Sequence, residues 1–176
     1  MTAQALFQTR VASPLGTLRL LATDEALVGV YFPEHRRAPA RAAREVTSHP
    51  VLELAAHELH EYFHAGRRTF STPTAAAGTD FQRAVWRALA GIAFGERRSY
   101  AELAQSIGRP SAARAVGAAN GQNPLSIFVP CHRVVATNGE LTGYAGGLEA
   151  KRFLLEHERA TRGRAAQAEG PPVCAL

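Results

Sequence analysis

The stretch Pro130-Cys131-His132-Arg133-Val134 sets a thiol directly before an imidazole, behind the apolar run Leu125-Ser126-Ile127-Phe128-Val129. A thiolate is a strong nucleophile, but a cysteine with an unperturbed pKa of about 8.5 is mostly protonated at neutral pH and needs a base. Histidine is the side chain suited to that task, so the pair has the makings of a covalent-chemistry centre. The alternative is a small core thiol in apolar surroundings, inert because it is buried. Side chains that neighbour each other in an extended segment point apart, so His132 would reach Cys131 through a water.

A second constellation is His60-Glu61-Tyr62-Phe63-His64, which matches HExxH, the pattern in which two histidines one helical turn apart bind zinc and the glutamate activates water. Tyr62 and Phe63 fall on the apolar face of the surrounding helical pattern, whereas His57, His60 and His64 fall on the other. The helix stops at Gly66 and no later third ligand follows, so a solvated face is the simpler reading. Cys131 and Cys174 have neither zinc-ribbon nor CxxC spacing and cannot build a disulfide framework. No metal and no cofactor is expected, and a reducing, cytoplasmic compartment fits.

The elements that must position these residues begin with three apolar stretches separated by turn signals: Ala5 to Val11, Thr17 to Ala22 and Leu27 to Phe32. They predict an antiparallel three-stranded meander. Residues 34–49 are rich in arginine and alanine without clear period and read as a basic, mobile surface connection. A helix follows from about Pro50 to Ala65, with Leu52, Ala55, Leu59, Tyr62 and Phe63 on one face. Ser71-Thr72-Pro73-Thr74 through Gly78 is small and polar and marks a domain boundary.

Beyond it the pattern is helical. Thr79-Asp80-Phe81-Gln82 and Ser99-Tyr100-Ala101-Glu102 read as capping boxes, the first opening a helix to about Gly91 and the second a short helix ending at Gly108. A third helix from Ala112 to Asn120 completes the outline of a helix-turn-helix, an outline that two simply packed helices also produce. Its residues are nearly all small, so it can approach another surface closely. Arg114 and Asn120 are the two side chains on it able to read base edges, and with Ser111, Ala113, Ala115 and Gly117 they form the expected DNA-contacting set. The predicted class is α+β: an amino-terminal antiparallel sheet with a helix in 1–74, a mainly helical domain containing the helix-turn-helix in 79–160, and a flexible tail in 165–176.

The chain has 176 residues with a formal net charge of +5, and Lys151 is its one lysine. Arginine-dominated positive charge favours a polyanionic partner or reflects a GC-rich genome. No apolar run approaches the roughly 20 residues of a membrane span, and the first residues lack the order of a secretory signal.

Arg114-Ala115-Val116-Gly117, Asn123-Pro124, Pro130-Cys131-His132-Arg133-Val134, Gly143-Tyr144-Ala145-Gly146-Gly147 and Leu154-Leu155-Glu156-His157-Glu158 together resemble the methylated-DNA-protein-cysteine methyltransferases, also called O6-alkylguanine-DNA alkyltransferases. The strong match runs from about Thr79 to Glu158. The resemblance implies that Cys131 accepts the alkyl group from guanine O6 in duplex DNA, irreversibly, with His132 as base and Glu158 orienting it. It implies that Tyr100 donates a proton toward the departing guanine and that Arg114 fills the stack when the damaged nucleotide rotates out. Asn123 becomes a hinge residue, and the backbone around Val134, Tyr144 and Ala145 the guanine pocket, with Ala145 standing where several members have serine. A monomer binding the minor groove without sequence specificity is implied as well. The competing class is a non-catalytic lesion binder or a helix-turn-helix regulator that uses Cys131 as a sensor.

Overall fold

The computed structural model describes residues 5–35 and 42–168, with side chains as far as 164. Three antiparallel strands form as the turn signals predict: β1 (Phe7–Ser13), β2 (Gly16–Ala22) and β3 (Leu27–Tyr31). The sheet is nonetheless mixed. A two-residue strand, β4 (Arg44–Glu45), pairs parallel with β1 in the order β3-β2-β1-β4. It lies inside the segment read as a featureless connection, because two residues are too few to display an alternating pattern. Of the segment expected as a flexible tail (165–176), the first residues are helical instead, as part of α5 (Leu148–Ala168), and 169–176 lie outside the described residues. Cys174 lies outside the described residues.

Helix α1 (Pro50–His64) lays Leu52, Ala55, Leu59, Tyr62 and Phe63 against the core. Both capping boxes are present. Thr79 and Gln82 open α2 (Asp80–Ala90), while Ser99 and Glu102 open α3 (Tyr100–Ser106) behind the short strand β5 (Arg98–Ser99). The turn after α3 needs Gly108, whose φ of 71° an L side chain rarely adopts. A 3₁₀ turn at Pro110–Ala112 then leads into α4 (Ala113–Asn120), one residue later than the sequence suggested. Strand β6 (Val134–Val135) pairs parallel with β5. Among the described residues no helix is long and apolar enough to cross a membrane.

One hydrophobic core runs from Leu20, Val30 and Leu59 through Val85, Leu103 and Val116 to Cys131 and Leu154. The outer edge of β3 crosses the seam between the two halves. Its Val30 N–H donates across that seam to Pro124 O at 2.8 Å, while its Leu27 N–H donates within the amino-terminal half to Pro73 O at 2.9 Å. Phe32 packs so close to Gly146 that a Cβ there would come within 2.3 Å of the ring, which fixes the 143–147 loop against the sheet.

Glu58 ties α1 to the strap that follows it. Its buried carboxylate accepts from the backbone and hydroxyl of Ser71, both at 2.7 Å, from Thr72 N at 3.1 Å and Oγ1 at 2.6 Å, and from Arg67 at 3.0 Å. Burial opposes its ionisation, but the Thr72 and Ser71 hydrogen bonds win and hold its pKa below the ordinary carboxylate value. A depressed carboxylate contributes stability that is present above its unfolded pKa and is lost as pH falls through the folded value. Urea unfolding of Glu58→Gln at pH 7 should therefore show a loss of roughly 2–4 kcal/mol. The loss should shrink toward acid pH, and equal losses at pH 7 and pH 3 would contradict this account of Glu58.

Candidate active site: a buried thiol beside a sealed carboxylate

The apolar run before Cys131 folds into a tight loop rather than a strand. Val129 N donates back to Leu125 O at 2.8 Å and Phe128 N to Ser126 O at 3.0 Å. Ile127, buried and β-branched, sits at φ 74°. Such a conformation costs of order 1–3 kcal/mol and persists only where surrounding packing imposes it. Cys131–Arg133 is likewise a 3₁₀ turn and not the extended segment expected from the sequence. The reason is local: Pro130 interrupts the run, and Asn123 gathers the loop around itself. The Asn123 carboxamide oxygen accepts from Leu125 N at 3.0 Å, and its Nδ2 donates to Val129 O at 2.8 Å and to Cys131 Sγ at 3.1 Å.

Cys131 is buried, and burial pushes its pKa up. The Asn123 N–H and the positive charge of Lys151 act in the opposite direction. Asn120, expected on the DNA-contacting face, is instead buried, because it lies on the inner side of α4 with Val116 and Ala119; its Nδ2 donates to Cys131 O at 3.4 Å. Asn120 and Asn123 thus hold the cysteine turn from the end of α4.

Behind Cys131 lies an ionised carboxylate without solvent contact. Glu158 Oε1 accepts from His132 Nε2 at 2.8 Å, Arg133 Nη2 at 2.9 Å and Tyr62 Oη at 2.8 Å. Its Oε2 accepts from Arg133 Nε at 3.0 Å and Gly95 N at 2.8 Å. Burial would raise the pKa of Glu158, but the His132 hydrogen bond, and then the hydrogen bonds and charge of Arg133, hold it well below the usual carboxylate range. Beside an ionised Glu158, His132 Nε2 must carry the hydrogen, which leaves Nδ1 as the lone-pair nitrogen. Nδ1 is buried and has no protein hydrogen-bond partner. Burial outweighs Glu158 and lowers the His132 pKa, so the ring is a neutral base.

On the outer side, a cavity of about 480 Å³ opens between α4 and the 142–145 loop, lined by Ala113, Arg114 and Gly117 of α4 with Tyr100, Tyr144 and Ala145. Tyr100 Oη donates to Thr142 O at 3.4 Å. Burial raises the Tyr100 and Tyr144 pKa values, and both hydroxyls lie close enough to Cys131 to feel a thiolate charge. Lys151 Nζ donates to Thr142 O at 2.8 Å beneath the Tyr100 ring, and burial lowers its pKa to about 8. Val134 is fully buried behind the cysteine turn, while Ser111, Arg114 and Ala115 are exposed along the outer face of α4 and the turn before it. A larger cavity, about 800 Å³, lies between β3 and the 121–124 turn; Cys131 lines neither cavity, but the two tyrosines that sense its charge, Tyr100 and Tyr144, line the smaller one, which is therefore the approach to the thiol.

The structure thus brings Cys131, His132, Glu158, Tyr100, Tyr144 and Asn123 together. Sequence reasoning gave no role to Arg133, Tyr62 or Lys151. A signal existed for the last of these, because the single lysine stands seven residues before Glu158, two turns along the same helix face. The HExxH residues form no comparable centre: the His60 and His64 rings stack 4.5 Å apart and Glu61 is held by Arg67 at 2.7 Å. Among the described residues no group of three or more His, Cys, Asp or Glu is placed to hold a metal ion.

Comparison with known proteins gives this geometry a family. Residues 80–160 match the profile of the 6-O-methylguanine DNA methyltransferase DNA-binding domain, and residues 6–76 match that of the 6-O-methylguanine DNA methyltransferase ribonuclease-like domain. The methylated-DNA–protein-cysteine methyltransferase of Methanosarcina acetivorans is 43% identical over 146 residues, 83% of this chain and 94% of its own. The constitutive Bacillus subtilis protein of that name is 43% identical over 157 residues, covering 87% of this chain and 95% of its own. The crystal structure of Mycobacterium tuberculosis OGT in complex with DNA superposes with a TM-score of 0.82 at 41% identity, covering 88% of this chain and 94% of that one. Both halves of the chain and the centre between them agree: this chain belongs to the methylated-DNA–protein-cysteine methyltransferase family.

Proposed function

We propose that this chain repairs O6-alkylguanine in duplex DNA by moving the alkyl group irreversibly to Cys131. The observation that carries the reading is the single cysteine turn described above, in which Asn123 Nδ2 lies 3.1 Å from Sγ while the neighbouring imidazole is backed by Glu158 at 2.8 Å. His132 Nδ1 takes the thiol proton through a water. The thiolate sulfur bonds to the alkyl carbon, the carbon–O6 bond breaks, and its electron pair remains on the guanine. Tyr100 supplies the proton that neutralises the departing base, and Lys151 stabilises the negative charge while it is on sulfur. The product is a thioether, which lacks the ready hydrolysis of a thioester, so each molecule acts once.

A nucleophile 3% exposed cannot reach an atom inside a stacked duplex, so the damaged nucleotide must turn out into the cavity beside Tyr100 and Tyr144. The backbone of Val134, Tyr144 and Ala145 shapes the site for guanine. Arg114 enters the stack in place of the lost base. Apart from Arg114, the outer face of α4 offers Ala115 and Ala118 rather than hydrogen-bonding side chains, which suits close approach to the minor groove without a sequence code. Gly117, Ala113 and Ser111 belong to the same contact surface. We place the division of labour at 1–74 and 79–160, the second carrying DNA and acceptor, in a monomer acting in the cytoplasm.

With duplex DNA bearing a labelled methyl on guanine O6, Cys131→Ala should transfer nothing while binding the lesion within about threefold of wild type. Arg114→Ala should bind about tenfold more weakly, near 1.4 kcal/mol, and transfer correspondingly slowly. Transfer by Cys131→Ala at the wild-type rate would end the proposal. Because burial depresses the His132 pKa, the neutral base persists below the ordinary histidine range, and single-turnover rates should hold nearly level from pH 7.5 to 6.5. A halving of the rate at pH 6.5 would mean that His132 titrates as an unperturbed histidine.

A further inference from the structure

We propose that Tyr62, on α1 of the amino-terminal half, is a positioning residue for the reaction centre: its hydroxyl shares Glu158 Oε1 with His132 and thereby sets how strongly the carboxylate draws on the imidazole proton. The inference rests on His132 being the base for Cys131. Tyr62 has no solvent exposure, and its Oη reaches Oε1 at 2.8 Å across 96 residues of sequence. The same oxygen receives His132 Nε2 at 2.8 Å and Arg133 Nη2 at 2.9 Å. A second tie fixes the approach, since His157 Nε2 meets Tyr62 O at 2.8 Å, so α1 and α5 are joined at two consecutive residues of α5. The Tyr62 ring is held edge-on by Phe63 and Phe94 and packs against Phe70 and His157.

The direction of the effect follows from the chemistry of a shared acceptor. Each donor on Oε1 withdraws electron density from it, so the Tyr62 hydrogen bond weakens the pull on the His132 proton and favours the neutral ring. The Tyr62 hydroxyl keeps its proton at every working pH, because burial and then the Glu158 charge oppose its ionisation. The other charged or titratable groups facing this centre are Arg133 on the cysteine turn, Lys151 and His157 on α5, and Cys131 and Tyr144 on the outer side. Of all these, only Tyr62 comes from the amino-terminal half. Its substitution therefore asks whether that half contributes to reactivity as well as to the core.

The test is the pH titration of His132 by ¹⁵N NMR of histidine-labelled protein, paired with single-turnover transfer rates over the same pH range. Tyr62→Phe should move the His132 midpoint upward by about half a unit or more, with the acid limb of the transfer rate moving alongside it. Site-specific 3-fluorotyrosine at position 62, a stronger donor of nearly equal volume, should move both downward. Coincident His132 titrations in all three proteins, or a rate loss without any shift in midpoint, would reduce Tyr62 to a packing residue. If Tyr62→Phe does not fold, the sign of the fluorotyrosine shift decides alone. Should the wild type transfer no alkyl group while the His132 shifts follow the predicted signs, the reaction assignment fails and the positioning assignment stands.

Discussion

A carboxylate with no water around it stays ionised only if protein donors replace its hydration, and Glu158 obtains them from three stretches of chain besides its own helix: α1, the loop after α2, and the cysteine turn. Removing one partner would leave a buried charge undersatisfied, at a cost of several kcal/mol. The carboxylate therefore fixes where α1 meets α5 and where the cysteine turn stops. The backbone near Gly95 answers to it as well. Gly95 has φ 72° and donates its N–H to Glu158, while a Cβ at that position would lie 2.2 Å from Arg162.

The nucleophile is set by opposing influences. Burial protects Cys131 and holds it in the less reactive thiol form, whereas the Asn123 N–H and the positive charge of Lys151 favour the thiolate. The positive charges of Arg133 and Lys151 also disfavour protonation of His132, in the same direction as burial, so the base stays neutral beside an ionised carboxylate. A protected thiol of this kind is suited to a protein that reacts once, because premature oxidation or alkylation in solution would waste the molecule.

Much of this organisation was legible in the sequence because local rules are strong where they apply. Thr79/Gln82 and Ser99/Glu102 announce their helices through reciprocal capping, and the apolar face of α1 follows a 3.6-residue period. Cys131 and His132 stand out by residue type. What escaped reading depends on contacts distant in sequence or on conformations too short to show a pattern. β4 is two residues long and parallel, and the Tyr62–Glu158 bond joins residues 96 apart. Asn120 looked like a base reader because one helix gives no hint of which neighbour it faces; α2, through Trp86 Nε1 on Ala119 O at 2.9 Å, turns that side inward.

The central claim is that Cys131 accepts the alkyl group and keeps it. Intact-protein mass after incubation with excess duplex DNA containing one O6-methylguanine, followed by peptide mapping, tests it most directly. The account predicts a gain of one methylene per protein molecule, confined to the peptide bearing Cys131, with no further demethylation of DNA once the protein is consumed. A methyl group on the Cys174 peptide, continued turnover, or tight lesion binding with no gain in mass would contradict it.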